Sequence, residues 1–346
     1  MGWTRREWLR VVGTLPLGVS SLRQVPSPAE PPPLLCPRGL RPGAVVAITA
    51  PASPAHPSEM GSAVKALQQL GCRVTFGTTV QRRGRRYLAA SDEERARELQ
   101  ELVANPQVDA ILCARGGYGT MRLLPLLDWE LFRQHPKPII GFSDITALLL
   151  AIATKARIVT YHGPVAVSEF DAFTLEYFRR TLYLPEAALQ PWSLRNPSWE
   201  VLSPGVACGP LIGGNLTLLV SLLGTPYEPD LRGAVLFLED VGEEPYRIDR
   251  MLTQLLLADK LQQCVAVLIG NFRTSTKRTR GDVSWQPTVA EILREKLAPL
   301  RIPILAGIPL GHIRSKLTLP LGVWAEVNTH THTICLAEPS VANNVA

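Results

Sequence analysis

The chain has 346 residues, of which 46% are hydrophobic and 19% charged, and its net charge is +6. That length and apolar content allow two ordinary domains with buried cores and exclude a largely disordered chain. A single dense basic cluster, Arg82 to Arg86, argues against nucleic acid as a partner. No apolar run reaches the roughly 18 to 20 residues of a membrane span, and six scattered cysteines without CxxC spacing or a nearby histidine argue against a metal centre.

At the amino terminus, Thr4-Arg5-Arg6-Glu7-Trp8-Leu9-Arg10 precedes a mildly apolar stretch from Val11 to Val19, the pattern of a twin-arginine export signal. Export to the periplasm or cell envelope is therefore expected, with a basic cytoplasmic tail as the alternative. Seven prolines between Ser21 and Pro42 deny helix and sheet and predict an extended tether, so residues 1–35 read as leader and tether. Ordered structure is expected from the apolar run Ala44 to Ala50, which has the length of a parallel strand covered on both faces. Helical spacing follows from Pro57 to Leu70, then a strand from Cys72 to Phe76. Ser91 with Glu94 forms a capping box that opens a helix to about Val103. Strands at Asp109–Cys113 and Pro138–Gly141 come next, the second leading through Ser143 into an apolar helix, Ile145 to Lys155. Alternating strands and helices over residues 44–165 predict a doubly wound parallel sheet with its site at the carboxyl ends of the strands. Residues 166–206 are less periodic and read as a connection. Residues 207–340 read as a second α/β domain with strands at Ala234–Leu238 and Val265–Asn271, helices at Tyr246–Leu261 and Thr288–Leu297, and a terminal strand pair around Leu317–Leu336.

Three features of this α/β frame carry chemistry. Gly141-Phe142-Ser143-Asp144-Ile145 has the form of a nucleophile elbow, although Ile145 stands where the GxSxG pattern has glycine. Capping of the following helix by Ser143 is the alternative. Ala114-Arg115-Gly116-Gly117-Tyr118-Gly119 follows a strand, so its amides, with that of Asp144, suit an oxyanion hole. A serine nucleophile needs a base. His330 and His332 sit in the alternating strand expected from Val327 to Leu336, and His56 and His135 adjoin proline, which leaves His162 and His312 as equal candidates. The strand ending in Glu239-Asp240 supplies possible orienting carboxylates, with Glu243, Glu244 and Asp249 close behind.

Taken together, AITAPAS (47–53), RYLAASDEERARELQ (86–100), ARGGYG (114–119), IIGFSDIT (139–146), YHGP (161–164), LIGGNLTLL (211–219), LFLEDVGEEPYRIDRMLTQL (236–255), GIPLGH and LTLPLG (307–322) resemble the LD-carboxypeptidases. These are serine peptidases that include muramoyltetrapeptide carboxypeptidases and enzymes cleaving microcin-type conjugates. The resemblance implies a triad of Ser143, Glu239 and His312, an oxyanion hole from Gly117 and Asp144, and no cofactor or metal. It implies a homodimer that removes the terminal D-alanine of peptidoglycan stem tetrapeptides. Substrate contacts are expected from Arg115, Gly116, Asn215, Arg247 and Lys316, with Arg115, Arg247 or Lys316 meeting the leaving carboxylate. The alternatives are a peptidase for peptide-nucleotide conjugates, with Trp192 and Trp199 as nucleobase-binding aromatics, and a non-catalytic peptidoglycan-binding protein.

Overall fold

The computed structural model describes residues 34–81, 87–183, 191–274 and 288–342. The leader motif and the basic cluster at 82–86 lie outside the described residues. The described residues form one compact unit.

The first half contributes β1 (Val45–Thr49), β2 (Arg73–Phe76), β3 (Ala110–Cys113), β4 (Ile139–Gly141) and β5 (Thr160–His162). The second contributes β6 (Ser193–Arg195), β7 (Glu200–Ser203), β8 (Val206–Asn215), β9 (Val235–Val241), β10 (Ala266–Arg273), β11 (Ile304–Ala306), β12 (Leu319–Leu321), β13 (Trp324–Asn328) and β14 (Thr333–Leu336). A six-stranded sheet runs β12-β5-β4-β3-β1-β2, in which β1 to β5 are parallel and β12 is antiparallel to β5. An eight-stranded mixed sheet runs β6-β14-β13-β8-β9-β10-β11-β7, with β8 to β11 parallel. The order 2-1-3-4-5 reverses direction between β1 and β3, and a crevice opens at the carboxyl ends of strands at such a switch point.

Local chemistry accounts for the elements that position the site. Strands β3 and β4 are buried along their whole length, as parallel strands covered on both faces must be. The helix Asp92–Ala104 starts at the capping box, where the Glu94 amide donates to Ser91 Oγ at 3.2 Å and the Ser91 amide to Glu94 Oε2 at 3.1 Å. This charged helix nonetheless buries Glu98, whose carboxylate accepts from the hydroxyls of Thr49, Thr78 and Thr79 and from the Thr79 amide. The helix Ile145–Lys155 is buried from Ile145 to Ala153, because it packs against β4 and β5 of one sheet and β8 of the other. A helix enclosed on all sides has no polar face, which explains its unbroken apolar run.

The chain departs from its sequence-based expectations in four places. Residues 34–42, expected as tether, are part of the fold: Leu40 is fully buried, and Leu35 exchanges backbone hydrogen bonds with Arg157 and Val159. Residues 166–206 are more than a connection, since they hold a helix, Ala172–Leu182, and strands β6 and β7 of the second sheet. That helix buries Thr174, Tyr177, Phe178, Thr181 and Leu182, and its two threonines mask the helical period. Trp192 and Trp199 are core residues. Trp192 donates its indole N–H to Thr181 Oγ1 at 2.9 Å and meets Tyr177 edge-on, and Trp199 is 3% exposed. Finally, Val327 to Leu336 is a hairpin, with His330 and His332 in its turn, and β12 leaves this region to join the first sheet.

Candidate active site

Strand β4 ends at Gly141 and the next helix begins at Ile145, so the chain reverses within three residues. Ser143 occupies the centre of that turn with φ +65°, a left-handed conformation that costs a non-glycine residue on the order of 1 kcal/mol or more. The Ile145 side chain lies over Gly141, its Cβ and Cγ1 3.0 and 3.1 Å from where a Cβ on Gly141 would stand. A bulky residue at 145 is therefore compatible with the elbow provided that 141 is glycine. Asp144 is buried, and its carboxylate accepts the Thr120 amide at 2.9 Å while the Thr120 hydroxyl donates to the Asp144 carbonyl. Burial pushes the Asp144 carboxyl above its ordinary range, against the Thr120 and Gly119 hydrogen bonds and the charge of Arg95, which favour ionisation.

The loop after β3 comes into contact with this turn. A Cβ on Gly116 would lie 2.8 Å from Ser143 Cβ, 3.0 Å from its Oγ and 3.3 Å from the Asp144 amide nitrogen, so only glycine allows the approach. Ser53, at the end of β1, fixes the loop: its amide donates to the Gly116 carbonyl at 3.2 Å, and its hydroxyl accepts the Tyr118 amide at 3.2 Å. Arg95 reaches from the capped helix to donate to the carbonyls of Pro51 and Gly119, and so holds the loops after β1 and β3 together.

His312 arrives from the second sheet. Its Nε2 lies 3.1 Å from Ser143 Oγ, and its Nδ1 lies 2.9 Å from Glu239 Oε2. Glu239 is fully buried near the end of β9 beneath the His312 loop. Gly311, at φ +91°, makes that possible, since a Cβ there would lie 2.8 Å from Glu239 Cβ. Adjacent side chains on a strand point to opposite faces, and Asp240 accordingly turns away. It accepts from Asn215 Nδ2, the Thr217 amide and hydroxyl, and the Val241 amide. The two acids that spacing alone does not tell apart thus separate into one facing a histidine and one saturated by structural donors.

The Phe142 ring packs against the His312 imidazole, with its centroid 4.8 Å from that of His312. Lys316 Nζ lies 5.1 Å above the same ring, and this ammonium makes no hydrogen bond or ion pair among the described residues, although the residue is only 5% exposed. Burial lowers its pKa, partly offset by Asp171, Glu239 and Glu169. His162 is the other candidate base. It is buried behind Phe142, with neither ring nitrogen bonded to a described residue, and burial together with His312 and Lys316 pulls its pKa down to about 3.

The remaining expected residues lie differently. Arg115 pairs with Glu59 at 3.2 Å and Arg247 with Glu243 at 3.5 Å, both at the surface. Asn215 is committed at both ends, with its oxygen capping the helix Leu216–Ser221 and its nitrogen on Asp240. The sequence reading missed Ser53, Arg95, Thr120 and the anchors of the His312 loop. Those anchors are Asp171 and Thr174, which bind Ser315 and the Lys316 amide, and Glu169, which binds Arg314. Arg95 lay within a matched sequence block, but a charged residue on a charged helix carries no signal of burial. All six cysteines are free, and among the described residues no three potential metal ligands cluster.

Comparison with known proteins identifies the family. Residues 46–163 match the LD-carboxypeptidase amino-terminal domain and residues 208–327 the carboxy-terminal domain. The chain is 36% identical to the probable murein peptide carboxypeptidase of Bacillus subtilis over 300 residues, 86% of this chain and 92% of that one. The muramoyltetrapeptide carboxypeptidase from Oxalobacter formigenes superposes with a TM-score of 0.73 at 33% identity, covering 85% of this chain and 98% of that one. A structure of the microcin C7 self-immunity protein MccF in complex with aspartyl sulfamoyl adenosine superposes with a TM-score of 0.79 at 27% identity, over 89% and 100%. The Escherichia coli protein of that name is 29% identical over 322 residues, 84% of this chain and 91% of that one. By the match of both domains in order, this chain belongs to the LD-carboxypeptidase family of hydrolases.

Proposed function

We propose that the chain is a serine LD-carboxypeptidase that removes the terminal D-alanine from peptidoglycan stem tetrapeptides through an acyl-enzyme. The observation that carries this reading is the unbroken chain from Ser143 Oγ through the His312 imidazole to the buried Glu239 carboxylate. With Nδ1–H donating to Glu239, His312 Nε2 is left as the acceptor for the Ser143 hydroxyl proton. Ser143 then attacks the carbonyl that precedes the terminal D-residue. The amides of Gly117 and Asp144 receive the oxyanion, in keeping with the contact between the 116–117 loop and the Ser143 turn. His312 returns the proton to the departing amine, and water releases the acyl group by the same route.

A carboxypeptidase must also hold a free carboxylate. Lys316 is the residue for it, because it is a buried residue beside Phe142 whose ammonium makes no ion pair among the described residues, whereas Arg115 and Arg247 are engaged with glutamates. The core positions of Trp192 and Trp199 remove the feature on which a peptide-nucleotide substrate rested. The intact serine-histidine-glutamate chain speaks against a purely binding role. From the leader motif alone we infer export by the twin-arginine route, and from the family resemblance a homodimer. Recovery of the full-length protein only from cytosol would reject export, and a monomer in sedimentation would reject the dimer.

The deciding experiment incubates purified protein with tetrapeptide and follows loss of one alanine by mass spectrometry, with Ser143→Ala in parallel. Loss from wild type alone is expected. No loss from wild type, or equal loss from the variant, rejects the proposal.

A further inference from the structure

Two buried charges of opposite sign meet through a single peptide group behind the Ser143 turn. Arg95 is fully buried and Asp144 is 3% exposed. The Gly119 carbonyl accepts from Arg95 Nη1 at 3.1 Å, and the Thr120 amide of the same peptide unit donates to Asp144 Oδ2 at 2.9 Å. A cation at the oxygen and an anion at the N–H both match the dipole of that peptide, so it links the two charges favourably. Burial lowers the Arg95 pKa and raises that of Asp144, and each charge opposes the shift of the other. Arg95 also donates to the carbonyls of Ala90 and Pro51 and pairs with Asp92, which in turn holds Arg122. Several planar donors aimed at separate segments are what a guanidinium supplies and an ammonium does not.

This network fixes the backbone that carries the oxyanion donors. The Gly116 carbonyl accepts the Ser53 amide at 3.2 Å, so the Gly117 N–H, opposite it in the same planar peptide, points away from Ser53. Ser53 Oγ accepts the Tyr118 amide at 3.2 Å. Arg95 grips Pro51, two residues before Ser53, and Gly119, two residues after Gly117. The second donor, the Asp144 amide, belongs to the residue whose carboxylate holds Thr120. Both amides therefore depend on bonds that lead back to Arg95.

We propose that Arg95 is a positioning residue for the reaction, which acts through the Gly119–Thr120 peptide and Asp144 to set the Gly117 and Asp144 amides in register for the oxyanion. This rests on the acyl transfer proposed above. Arg95 lies behind the loop and acts on the developing charge only by way of the backbone it holds. Its loss therefore weakens transition-state stabilisation and leaves ground-state binding of the peptide unchanged.

The first test measures kcat and KM for alanine release from tetrapeptide. Arg95→Met is expected to lower kcat about a hundred-fold and Arg95→Lys, which keeps the charge without the fork, about ten-fold, with KM within about two-fold in both. Asp144→Asn should lower kcat about ten-fold in wild type and leave it unchanged in Arg95→Met, where it removes an anion already deprived of its cation. An equal loss from Asp144→Asn in both backgrounds overturns the proposal, as does a rise in KM at constant kcat. Should Arg95→Met fail to fold, Arg95→Lys decides, and a kcat within about two-fold of wild type overturns the proposal. The second test follows labelling of Ser143 by a fluorophosphonate, read by intact mass. Ser143 Oγ bonds to phosphorus, fluoride leaves, His312 takes the proton, and the phosphoryl oxygen gathers charge in the same hole. Labelling should slow in the Arg95 variants by about the factor seen in kcat, and an unchanged rate overturns the positioning role. Wild type that is labelled but releases no alanine removes the proposed substrate instead, and labelling still decides the role of Arg95. Wild type that neither labels nor releases alanine overturns both.

Discussion

The Ser143 turn and the His312 loop meet at one hydrogen bond, yet they are positioned by opposite means. Ser143 is placed by its immediate neighbours: Gly141 and Ile145 set the corner, and the next residue, Asp144, holds the loop that faces it. His312 has no such local frame. Its loop runs from β11 of the second sheet to β12 of the first, and it is held by Glu239 below and by Asp171, Thr174 and Glu169 from a helix and turn about 140 residues earlier. One half of this site is therefore a strained local conformation, and the other a tertiary assembly.

The largest expected effect breaks the first half. Ser143→Gly should abolish turnover, by at least about ten-thousand-fold in kcat. The same change should raise stability by about 1 kcal/mol, since glycine accepts φ +65° without strain. Alanine-release assays and thermal melts check the two signs together, and a variant that is both inactive and less stable would refute local strain at the turn.

Next comes Gly311→Ala, which puts a methyl against Glu239 and displaces the carboxylate or the histidine. The expected loss in kcat is about a hundred-fold, comparable to a misplacement of 1 Å in catalytic geometry. Activity within two-fold of wild type would show that the histidine tolerates a shifted partner.

A milder probe is Asp171→Ala, which removes the partner of the Ser315 hydroxyl and the cap of the helix Ala172–Leu182. About a ten-fold fall in kcat is expected, with a loss of roughly 1 kcal/mol from the missing cap. If kcat holds while stability falls, the anchors matter to the fold and not to the base.

The smallest effect concerns His162. Its pKa is about 3 in the folded chain against 6.5 ordinarily, so below pH 6.5 the unfolded chain takes up a proton that the folded chain refuses. Stability from this group is therefore complete above pH 6.5 and is lost as pH falls toward 3, by about 1.4 kcal/mol per pH unit. Urea midpoints for wild type and His162→Phe between pH 7 and pH 4 should diverge in slope, with the variant the flatter. Parallel slopes would mean that His162 gains a partner on protonation.

Much of the fold is legible because its signals are short-range. The capping box at Ser91 and Glu94, the apolar runs of β1 and β3, and the elbow at Ser143 each act within a few residues, and each appears where the sequence places it. The helix Ala172–Leu182 escaped because Thr174 and Thr181 face inward, and inward threonines blur an amphipathic stripe. Residues 34–42 escaped because proline density reads as tether, whereas the buried Leu40 and the pairing of Leu35 depend on a surface made by residues far along the chain.

The same distinction holds at the site. The sequence by itself determined that Ser143 lies in a strand-to-helix turn facing a glycine loop, because steric rules at Gly141 and Ser143 operate over bonded neighbours. Between His162 and His312, and between Glu239 and Asp240, residue spacing left both open and the family resemblance pointed to His312 and Glu239; only the tertiary structure supplies the physical reason. Both histidines follow apolar strands and both acids end one, but burial, pleat direction and the crossing of β12 onto β5 leave one histidine without a hydrogen-bond partner among the described residues and bring the other to Ser143 and Glu239. Those are properties of packing between distant segments, which no local pattern encodes.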